Sequence, residues 1–367
     1  MIKLLMKKDQ NLSIIIDAFS RGGAQKVLQL LIPEFLKKYN SVTLFLLQNN
    51  KSEMQLDDLQ KLGLKIYRLE AKNFLDFRAF TRFLVLITKS QPSHIQAHLY
   101  WSQIWSIFMK FLNPKVRIYW IEHNMYLNRT KIQWLLYKIF SLFIEKVIAV
   151  SYEVRDYLSD SGIKKLMVIF NPISSVFKVG IKNLTFPSFL FVGRLNEQKN
   201  PELLMNSFDY ATRNNLIPHS SKLSICGEGP LLRSLIEKKD GLQHKDSISF
   251  YGYLNEKELS KLYKDSMVLV STSHYEGFSL VRAEALASGC VIVTTNTSGI
   301  KGLLTINEIS NSPRNGVLVV DSDIKSVANG MVNALDSSFW TNDSVKSRVE
   351  IIDRLSAKNV AELYVNL

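Results

Sequence analysis

The sequence predicts an α/β protein made of two doubly wound domains, each with its own parallel β-sheet. Short β-branched runs alternate with amphipathic stretches, a pattern that indicates βα units. This alternation occurs in two successive series, and a chain of 367 residues is long enough for two cores of ordinary size. The break falls near Asn171-Pro172, where proline ends a strand and the next dozen or so residues lack clear periodicity.

The predicted elements place the domain boundaries. Helices are expected between the strands, for example over 24–38 and 77–89. We expect an N-terminal domain over 1–172, a C-terminal domain over 173–350, and a terminal helix within 351–367 that packs back towards the first domain. The predicted strands lie at 12–18, 42–47, 64–69, 93–98, 116–121, 146–150 and 166–170, and then at 188–193, 222–226, 247–252, 267–271, 290–295 and 316–320.

Composition indicates a globular protein, with 46% hydrophobic and 22% charged residues. The most apolar stretch, 132–150, contains three charged residues, so we expect no transmembrane span. Charged residues at positions 7–9 argue against a signal peptide. Cys226 and Cys290 lie in apolar, strand-like runs, which predicts two reduced core thiols in a cytoplasmic protein.

The net charge of +13 is concentrated in the first half of the chain. Residues 1–180 hold 26 Lys and Arg against 13 Asp and Glu, whereas residues 181–367 hold 20 of each. Such asymmetry suggests that one domain faces an anionic partner, such as nucleic acid or the cytoplasmic leaflet of a membrane. Solubility alone is the alternative explanation.

Two loops carry residues suited to phosphate groups. In open α/β sheets, ligands bind outside the carboxyl ends of the strands. Gly22 and Gly23 follow the first strand and would allow close approach of the backbone to a phosphate at a helix N-terminus, or simply form a tight turn. Arg194 and Lys199 follow the first strand of the second series, where they suit a diphosphate or are merely solvated cations.

The segment from Glu276 to Glu284 is the sharpest chemical signal. It follows a buried strand, and a helix is expected to begin near Ser279. Both glutamates would then reach a ligand held by the amides of residues 277–280, with Glu284 suited to the two hydroxyls of a ribose. The alternative is a helix with acidic residues near its N-terminus, which does not explain Glu-Gly-Phe directly after a strand.

Two histidines follow strands of the first series. His123 is the preferred functional residue because the polar run 122–124 would be costly to bury without function, while His98 is the second candidate. A structural role stays open for each. The chain has no GxxxxGK[ST], HExxH or CxxC motif, and its one Asp-x-Asp, at 321–323, is predicted to cap a helix that starts at Ile324. We therefore expect neither a metal site nor a cofactor.

Together these segments resemble the GT-B glycosyltransferases of family 4, especially bacterial enzymes that build lipopolysaccharide, capsule or lipid-linked oligosaccharides. The resemblance covers nearly the whole chain in the right order. It implies two facing Rossmann-like domains with a cleft between them. The matching segments are GGAQKVLQLL, EHN, NPI, VGRLNEQKN, ICGEGPL and EGFSLVRAEALASG.

The resemblance implies a metal-independent transfer with retention of configuration. A hexose or N-acetylhexosamine would move from a nucleoside diphosphate, with a UDP-sugar favoured and GDP-mannose next, to a glycan or polyprenyl-diphosphate-linked acceptor in cell-surface polysaccharide synthesis. It implies catalytic roles for His123 and Glu276. The implied donor-binding residues are Gly22, Gly23, Arg194, Lys199, Gly227, Gly229, Tyr253, Leu254, Gly277, Phe278, Ser279, Leu280 and Glu284.

Two positions depart from the family pattern. Gln25 stands where the family has glutamate in the phosphate turn, and Lys301-Gly302 stands where many relatives have a Lys/Arg-Glu pair. The first departure is expected to alter a contact of the turn without abolishing it. The second puts the identity of the donor in doubt more than the activity.

The basic first domain corresponds to the acceptor domain of the family. The helix expected over 129–143 has an apolar face with Trp134, Leu135 and Ile139, which suggests peripheral attachment to an anionic membrane, on the inner face of the cytoplasmic membrane. Burial of these aromatics in the core is the alternative. The cations that would face the lipid are Arg78, Arg82, Lys110, Lys115, Arg129, Lys131 and Lys138.

Two other functions remain open at this stage. One is a GT-B nucleotide-sugar epimerase, and the other is a non-catalytic nucleotide-sugar-binding protein. Nucleic acid is not expected as a partner, since no arginine-rich recognition helix or aromatic RNA-binding run is present.

Overall fold

A computed structural model describes residues 7–20, 22–48, 56–125, 129–177, 186–297, 299, 316–349 and 351–367. The chain divides into two compact units. The first contains residues 1–172 and 357–367, and the second contains residues 173–356. Each unit has one parallel sheet, which confirms the predicted fold class.

The first unit has a seven-stranded sheet with the order β3-β2-β1-β4-β5-β6-β7. Its strands are β1 (Lys7–Ile16), β2 (Tyr39–Leu46), β3 (Lys65–Arg68), β4 (His94–His98), β5 (Arg117–Glu122), β6 (Lys146–Ala149) and β7 (Leu166–Val168). Its helices are α1 (Gly23–Lys38), α2 (Asp57–Lys61), α3 (Phe77–Lys89), α4 (Tyr100–Ser106), α5 (Phe108–Leu112), α6 (Lys131–Ser141) and α7 (Tyr152–Asp160), followed at the end of the chain by the C-terminal helix (Ala357–Val365).

The second unit has a six-stranded sheet with the order β10-β9-β8-β11-β12-β13. Its strands are β8 (Ser188–Val192), β9 (Lys222–Cys226), β10 (Ile248–Gly252), β11 (Val268–Ser271), β12 (Val291–Thr295) and β13 (Val317–Val320). Its helices are α8 (Pro201–Arg213), α9 (Leu232–Asp240), α10 (Glu256–Lys264), α11 (Leu280–Ala287), α12 (Ile324–Asn333), α13 (Asn342–Val349) and α14 (Ile351–Arg354), with 3₁₀ turns at Glu197–Lys199, Lys245–Ser247 and Ser337–Trp340.

In each sheet the strand order reverses at the first strand of the unit, β1 or β8. The next strands of the chain are added on one side of it and the later strands on the other side. In the first unit β1 pairs in parallel with both β2 and β4, and in the second unit β8 pairs with both β9 and β11. Helices that leave the two neighbours go to opposite faces, so a crevice opens at the carboxyl ends of the strands. The loops after β1, β4, β8 and β11 therefore lie where a ligand is expected in each unit.

Two local predictions, the cap of α12 and the buried thiols, agree with the structure. Asp323 is the N-cap of α12, where its carboxylate accepts a hydrogen bond from the Ser326 amide at 2.9 Å. Cys226 and Cys290 are buried free thiols. No helix among the described residues is long and apolar enough to span a bilayer. Strand β1 begins at Lys7, earlier than predicted, because its polar first residues still pair with β2 at Tyr39.

The C-terminal helix belongs to the core of the first unit. Tyr364 is 3% exposed, and its ring meets that of Phe35 on α1 edge-on, with centroids 6.0 Å apart. At the rim, Lys38 lies 3.5 Å from the carboxylate of Glu362. The last residues of the chain thus cover a hydrophobic face that α1 would otherwise expose.

We predict that Tyr364→Ala destabilises the first unit by about 3 kcal/mol, because it leaves a cavity against Phe35. Leu363→Ala, at a side chain 49% exposed, is the matched control and is expected to change stability by less than about 0.5 kcal/mol. Four of the five tryptophans lie in the first unit, so fluorescence during urea unfolding reports mainly on it. Equal urea midpoints for the Tyr364→Ala and Leu363→Ala variants would show that the C-terminal helix does not stabilise the first unit.

Candidate active site

The loop after β8 is held rigidly by two asparagines. The Asn196 side chain accepts a hydrogen bond from the Lys199 amide at 3.2 Å and so caps the 3₁₀ turn. Asn200 adopts a left-handed conformation, with φ of 47°, and its side chain accepts from the Leu203 amide at the start of α8. Asparagine tolerates this conformation better than most residues. Lys199 lies between these two caps, so its backbone position is fixed.

Lys199 and Glu276 form an ion pair between the loop after β8 and the loop after β11. The same carboxylate oxygen accepts a hydrogen bond from the Ser273 hydroxyl at 2.8 Å. Glu276 is only 6% exposed, and burial alone would raise its pKa. The charges of Lys199 and Arg282, with the hydrogen bonds from Lys199 and Ser273, outweigh that effect and lower the pKa. Glu276 is therefore a carboxylate at neutral pH.

Arg282 is a functional candidate that the sequence analysis did not single out. Its side chain is fully buried, and it donates to the Ser271 hydroxyl at 3.2 Å and to the Thr297 hydroxyl at 2.6 Å. It thus bridges the ends of β11 and β12 and adds positive charge beside Glu276. Its only sequence signal is a cation in a helical run that is otherwise mostly apolar.

Gly227 and Gly229 allow two loops to touch through their backbones. A Cβ at Gly227 would lie 1.9 Å from the Gly193 carbonyl oxygen, and one at Gly229 would lie 2.3 Å from the Leu195 carbonyl oxygen. Backbone hydrogen bonds join the same loops, including one of 2.9 Å from the Leu195 amide to the Glu228 carbonyl oxygen. Any side chain would separate the loops, so packing of the two loops by itself requires glycine at both positions.

The N-terminus of α11 lies next to the ion pair in sequence. Ser279 is its N-cap, as predicted, but the hydroxyl makes no capping hydrogen bond. The first amides of a helix have no partner within it and attract anions. Gly277, Phe278 and Ser279 are buried, and Leu280 is half-buried.

Glu284 lies inside α11 and is 1% exposed. Its carboxylate accepts a hydrogen bond from the Tyr263 hydroxyl at 3.3 Å. Burial, and then the nearby charge of Glu284, raises the pKa of Tyr263, so this phenol stays protonated and serves as a donor.

The remaining donor-site candidates of the second unit follow neighbouring strands. Tyr253 is 52% exposed directly after β10, beside the half-buried Leu254, and Arg194 is exposed directly after β8. The predicted residues of this unit thus follow four adjacent strands, β10, β9, β8 and β11.

In the first unit, His98 and His123 are brought together at the ends of β4 and β5. Nδ1 of His98 lies 2.8 Å from Nε2 of His123. Burial lowers the pKa of both rings, that of His123 to about 4 and that of His98 well below its usual value. Both imidazoles are therefore neutral at physiological pH.

Glu122, next to His123, is fully buried and pairs with Arg129 at 3.0 Å. The Arg129 guanidinium also lies over the rings of Tyr100, Trp134 and Tyr137, with the closest centroid, that of Tyr137, 4.2 Å away. Its side chain is 3% exposed, so the prediction that Arg129 faces an anionic surface is wrong. The buried carboxylate and the three rings offset the cost of taking this cation out of water.

Asp17, after β1, was also missed by the sequence analysis. Its carboxylate accepts from the Ser102 amide at 2.8 Å and from the Ser102 hydroxyl at 2.6 Å. These bonds cap α4, whose own N-cap, Leu99, offers no polar side chain. Burial raises the pKa of Asp17 to about 6, although the bonds from Ser102 act to lower it.

Gly22 is the N-cap of α1 and Gly23 is its first residue, so both lie at the turn after β1 as predicted. Gln25, which replaces the family glutamate, is 7% exposed and donates from its amide nitrogen to the Ala18 carbonyl oxygen at 2.8 Å. A carboxylate could not make this bond, so the substitution ties the turn to the end of β1. Arg21, Ser298 and the Lys301-Gly302 departure lie outside the described residues.

Among the described residues, no group of three or more His, Cys, Asp or Glu is arranged to hold a metal ion. The second unit instead gathers a buried carboxylate, two cations and a helix N-terminus at its strand-reversal point. Fold and site together define a class, namely α/β enzymes with two Rossmann-like units.

The comparisons with known proteins identify that class more closely. The profile described as "Glycosyltransferase Family 4" matches residues 21–175, and the profile described as "Glycosyl transferases group 1" matches residues 174–354. The chain belongs to this family of glycosyltransferases.

Similar proteins are found in bacteria and archaea. An uncharacterized glycosyltransferase of Methanocaldococcus jannaschii is 33% identical over 48% of this chain and 43% of its own length. The Escherichia coli UDP-Gal:alpha-D-GlcNAc-diphosphoundecaprenol alpha-1,3-galactosyltransferase is 29% identical over 52% of this chain and 48% of its length. Both of these matches thus span less than half of the relative.

Two comparisons cover almost the whole chain. A Campylobacter jejuni N-acetylgalactosaminyltransferase, named for a diphospho-undecaprenol substrate, is 23% identical over 97% of this chain and 99% of its own length. Among solved structures, Anabaena HepE in complex with UDP has a TM-score of 0.80 and 13% identity over 97% of this chain and 98% of that one. The structural similarity shows the GT-B fold.

The burial of Asp17 in the first unit can be tested through the pH dependence of protein stability. A carboxyl group whose pKa is raised in the folded state stabilises the fold at low pH, and that contribution is lost as the pH rises from about 4 to about 6. Asp17→Asn keeps an acceptor for Ser102 but does not titrate. We predict that the unfolding free energy of the wild type, measured relative to that of Asp17→Asn, falls by about 2 kcal/mol as the pH rises from about 4.5 to about 8. Parallel stability curves for the two proteins would contradict the raised pKa.

Proposed function

We propose that this protein is a retaining glycosyltransferase that moves a hexose or N-acetylhexosamine from a nucleoside-diphosphate sugar to a glycan or polyprenyl-diphosphate-linked acceptor. A UDP-sugar is the favoured donor and GDP-mannose the next. The observation that carries the proposal is the ion pair of Lys199 with the buried Glu276. The pair lies just before the N-terminus of α11, where the Ser279 side chain makes no capping hydrogen bond, in a unit with a Rossmann-like strand order.

The chemistry of the second unit suits a nucleoside diphosphate. Arg194 and Lys199 offer positive charge, and the first amides of α11 offer hydrogen-bond donors to phosphate oxygens. The same cations would stabilise the charge that develops on a leaving diphosphate, so we propose that the transfer needs no metal ion. Glu284 would bind the ribose, and the exposed ring of Tyr253 would lie beside the base.

We assign the catalytic roles to Glu276 and His123. Glu276 is held as a carboxylate by Lys199 and Arg282, so it accepts hydrogen bonds from the transferred sugar or stabilises positive charge that develops on it. His123 is neutral and is paired with His98. Retention of configuration is proposed on the family resemblance alone.

A lipid-linked acceptor is supported by an open groove in the first unit. The groove has a volume of about 830 Å³ and is bordered by the chain between β3 and α3 and by Trp101. Trp101 stacks on Phe74, with ring centroids 4.1 Å apart, while Leu75 and Phe77 are 89% and 74% exposed. The lining of the groove also includes Lys72, Arg78 and Arg82, and such cations suit a diphosphate.

Peripheral attachment to an anionic membrane is supported by α5 and α6. The exposed apolar side chains include Phe111 and Leu112 on α5, and Ile132 and Leu135 on α6. Lys131 and Lys138 on α6 are also exposed. Apolar side chains mixed with lysines are typical of helices that lie in the interface of anionic lipids. We place the work of the enzyme in cell-surface polysaccharide synthesis on this ground and on the relatives' named acceptors.

The donor site is tested by binding and turnover together. One nucleoside diphosphate out of UDP, GDP and ADP is expected to raise the thermal midpoint of the wild type, equally with and without EDTA. Lys199→Met is expected to lose this stabilisation and to lower turnover by about 10² or more. Glu276→Gln should keep nucleotide binding and lose turnover to a similar degree, because its charge acts on the sugar.

The matched control is Lys238→Met, which removes an exposed Lys–Glu pair with Glu202 and should behave like the wild type. An α-linked product from an α-linked donor, followed by NMR, would establish retention. Near wild-type turnover of Lys199→Met would remove it from the site. Conversion of the nucleotide sugar without acceptor would instead indicate an epimerase, and binding without any reaction would indicate a binding protein.

Membrane attachment is tested with the double variant Ile132→Asp, Leu135→Asp. In co-sedimentation with vesicles rich in phosphatidylglycerol, we expect the variant to bind at least about fivefold less than the wild type, because it loses two exposed apolar side chains. Ile236→Asp, at an exposed isoleucine of the second unit, is the control and should bind normally. Binding that is insensitive to anionic lipid content would refute the proposal.

A further inference from the structure

Arg282 on α11 carries a positive charge that is closed to solvent. Its side chain is fully buried, and its guanidinium donates hydrogen bonds to the Ser271 hydroxyl at 3.2 Å and to the Thr297 hydroxyl at 2.6 Å. A guanidinium stays charged in proteins, and because hydroxyls are neutral, neither of these bonds cancels the charge. Arg282 therefore places a permanent cation inside the second unit, at the ends of β11 and β12.

The charge of Lys199 is placed differently, because its side chain is 21% exposed. The backbone of Lys199 is fixed, since its carbonyl oxygen accepts a hydrogen bond from the Thr272 hydroxyl at 3.2 Å. Its stem lies over Gly193, where an added Cβ would stand 3.7 Å from Cγ and Cδ of the lysine. A lysine amine is a mobile point charge with three donors. Lys199 can therefore serve both Glu276 and an anion that enters from solvent.

Glu276 is attached to the same strand end as Arg282. Ser271 is the last residue of β11, and two residues later the Ser273 hydroxyl donates to the Glu276 carboxylate at 2.8 Å. The Thr295 hydroxyl on β12 donates to the Ser273 carbonyl oxygen, also at 2.8 Å. The carboxylate and the guanidinium thus belong to one hydrogen-bonded segment, and their relative position is fixed.

The ionisation of Glu276 depends on cations from two elements. Burial raises its pKa, whereas the charge of Lys199 on the 3₁₀ turn and then that of Arg282 on α11 lower it, together with hydrogen bonds from Lys199 and Ser273. His274, on the same loop as Glu276, is exposed, and its backbone amide donates to the Gln198 carbonyl oxygen at 2.8 Å.

A bound diphosphate would disturb this balance at Lys199. It brings several negative charges against one mobile cation, and negative charge near a carboxylate raises the pKa of that carboxylate. A buried carboxylate that loses its counter-charge is strongly destabilised. Arg282 is fully buried, so its charge cannot be drawn away from Glu276 in the same manner. The two cations are therefore suited to different tasks.

We propose that Arg282 is a positioning residue that keeps the Glu276 carboxylate ionised and in place when Lys199 shares its charge with the diphosphate of the bound sugar donor. The presence of that ligand at Lys199 rests on the proposed function. The effect of Arg282 on Glu276 rests only on contacts within the second unit.

The ionisation of Glu276 is measured without turnover, by NMR of the full-length protein labelled with ¹³C at the glutamate Cδ atoms. The Glu276 signal is assigned by its loss in Glu276→Gln, and its shift against pH gives the pKa. In Lys199→Met, we expect Glu276 to be ionised at about pH 7, because Arg282 remains. In the double variant Lys199→Met, Arg282→Met, we expect it to be protonated at this pH, because neither cation then opposes the effect of burial.

Kinetics distinguish an effect of charge from a merely structural role. Arg282→Met is expected to lower kcat at neutral pH about tenfold or more, while the KM for the nucleotide sugar changes less than about twofold. The acidic limb of its kcat profile should move upward by about one pH unit or more, because Glu276 takes up its proton more readily. Arg282→Lys keeps the charge but loses the forked geometry, and it should return the limb to the wild-type position.

The matched control is Arg348→Met, which changes another fully buried arginine of the second unit. Arg348 donates to the carbonyl oxygens of Phe339 at 2.8 Å and Gly289 at 3.2 Å, so its loss should lower stability. We expect the acidic limb of the kcat profile to stay where it is in the wild type.

A Glu276 that is protonated at about pH 7 in Lys199→Met, or ionised there in the double variant, would overturn the proposal. So would an Arg282→Lys variant whose acidic limb matches that of Arg282→Met at equal thermal midpoint. If the double variant does not fold, Arg282→Met alone decides, since its Glu276 pKa must exceed that of the wild type. If NMR gives the expected result but no donor supports sugar transfer, the proposed function fails while the dependence of Glu276 on Arg282 stands.

Discussion

Compensation of a buried carboxylate is the constraint on which the second unit depends. Glu276 is almost completely buried, so its ionised form exists there only because Lys199, Arg282 and the Ser273 hydroxyl surround it. The ion pair of Lys199 with Glu276 joins the loop after β8 to the loop after β11. Two asparagine caps hold the backbone of Lys199 in the position that this pair requires. The same arrangement brings cations and the N-terminus of α11 to the strand-reversal point. The residues that balance the charge of Glu276 therefore include ones that we propose for ligand binding.

The first unit solves a related problem in a different way. Among the described residues no carboxylate pairs with His98 or His123, so burial lowers the pKa of both rings and they remain neutral. Charge is buried one residue away, where Glu122 pairs with Arg129 beneath three aromatic rings. This separation keeps His123 free of a carboxylate partner that would raise its pKa and make it a cation. The candidate residues of the second unit thus include fixed charges, whereas those of the first unit include a pair of neutral rings.

Strands and loops were predictable because they depend on short-range patterns. Parallel strands covered on both faces give continuous apolar runs, and both sheets follow these runs closely, as in the fully buried Ile14 to Ile16 of β1. The Glu276 segment and Arg194 to Lys199 were recognisable because a motif of fixed spacing follows a strand. Arg282, Asp17 and the burial of Arg129 were not predictable in this way. Each depends on a partner that becomes a neighbour only when the chain folds, or on a helix position that local sequence would equally well place in solvent.

The sequence by itself determined the α/β class, the two successive domains, the strand ends that carry polar side chains and the family resemblance, since all of these are written in local periodicity and spacing. Only the tertiary structure decided which of those side chains meet. It placed Lys199 on Glu276 and His98 on His123, because strands distant in sequence become neighbours only after the sheets form. It also decided protonation, since burial and neighbouring charge set a pKa, and neither is readable from a residue's position in the chain.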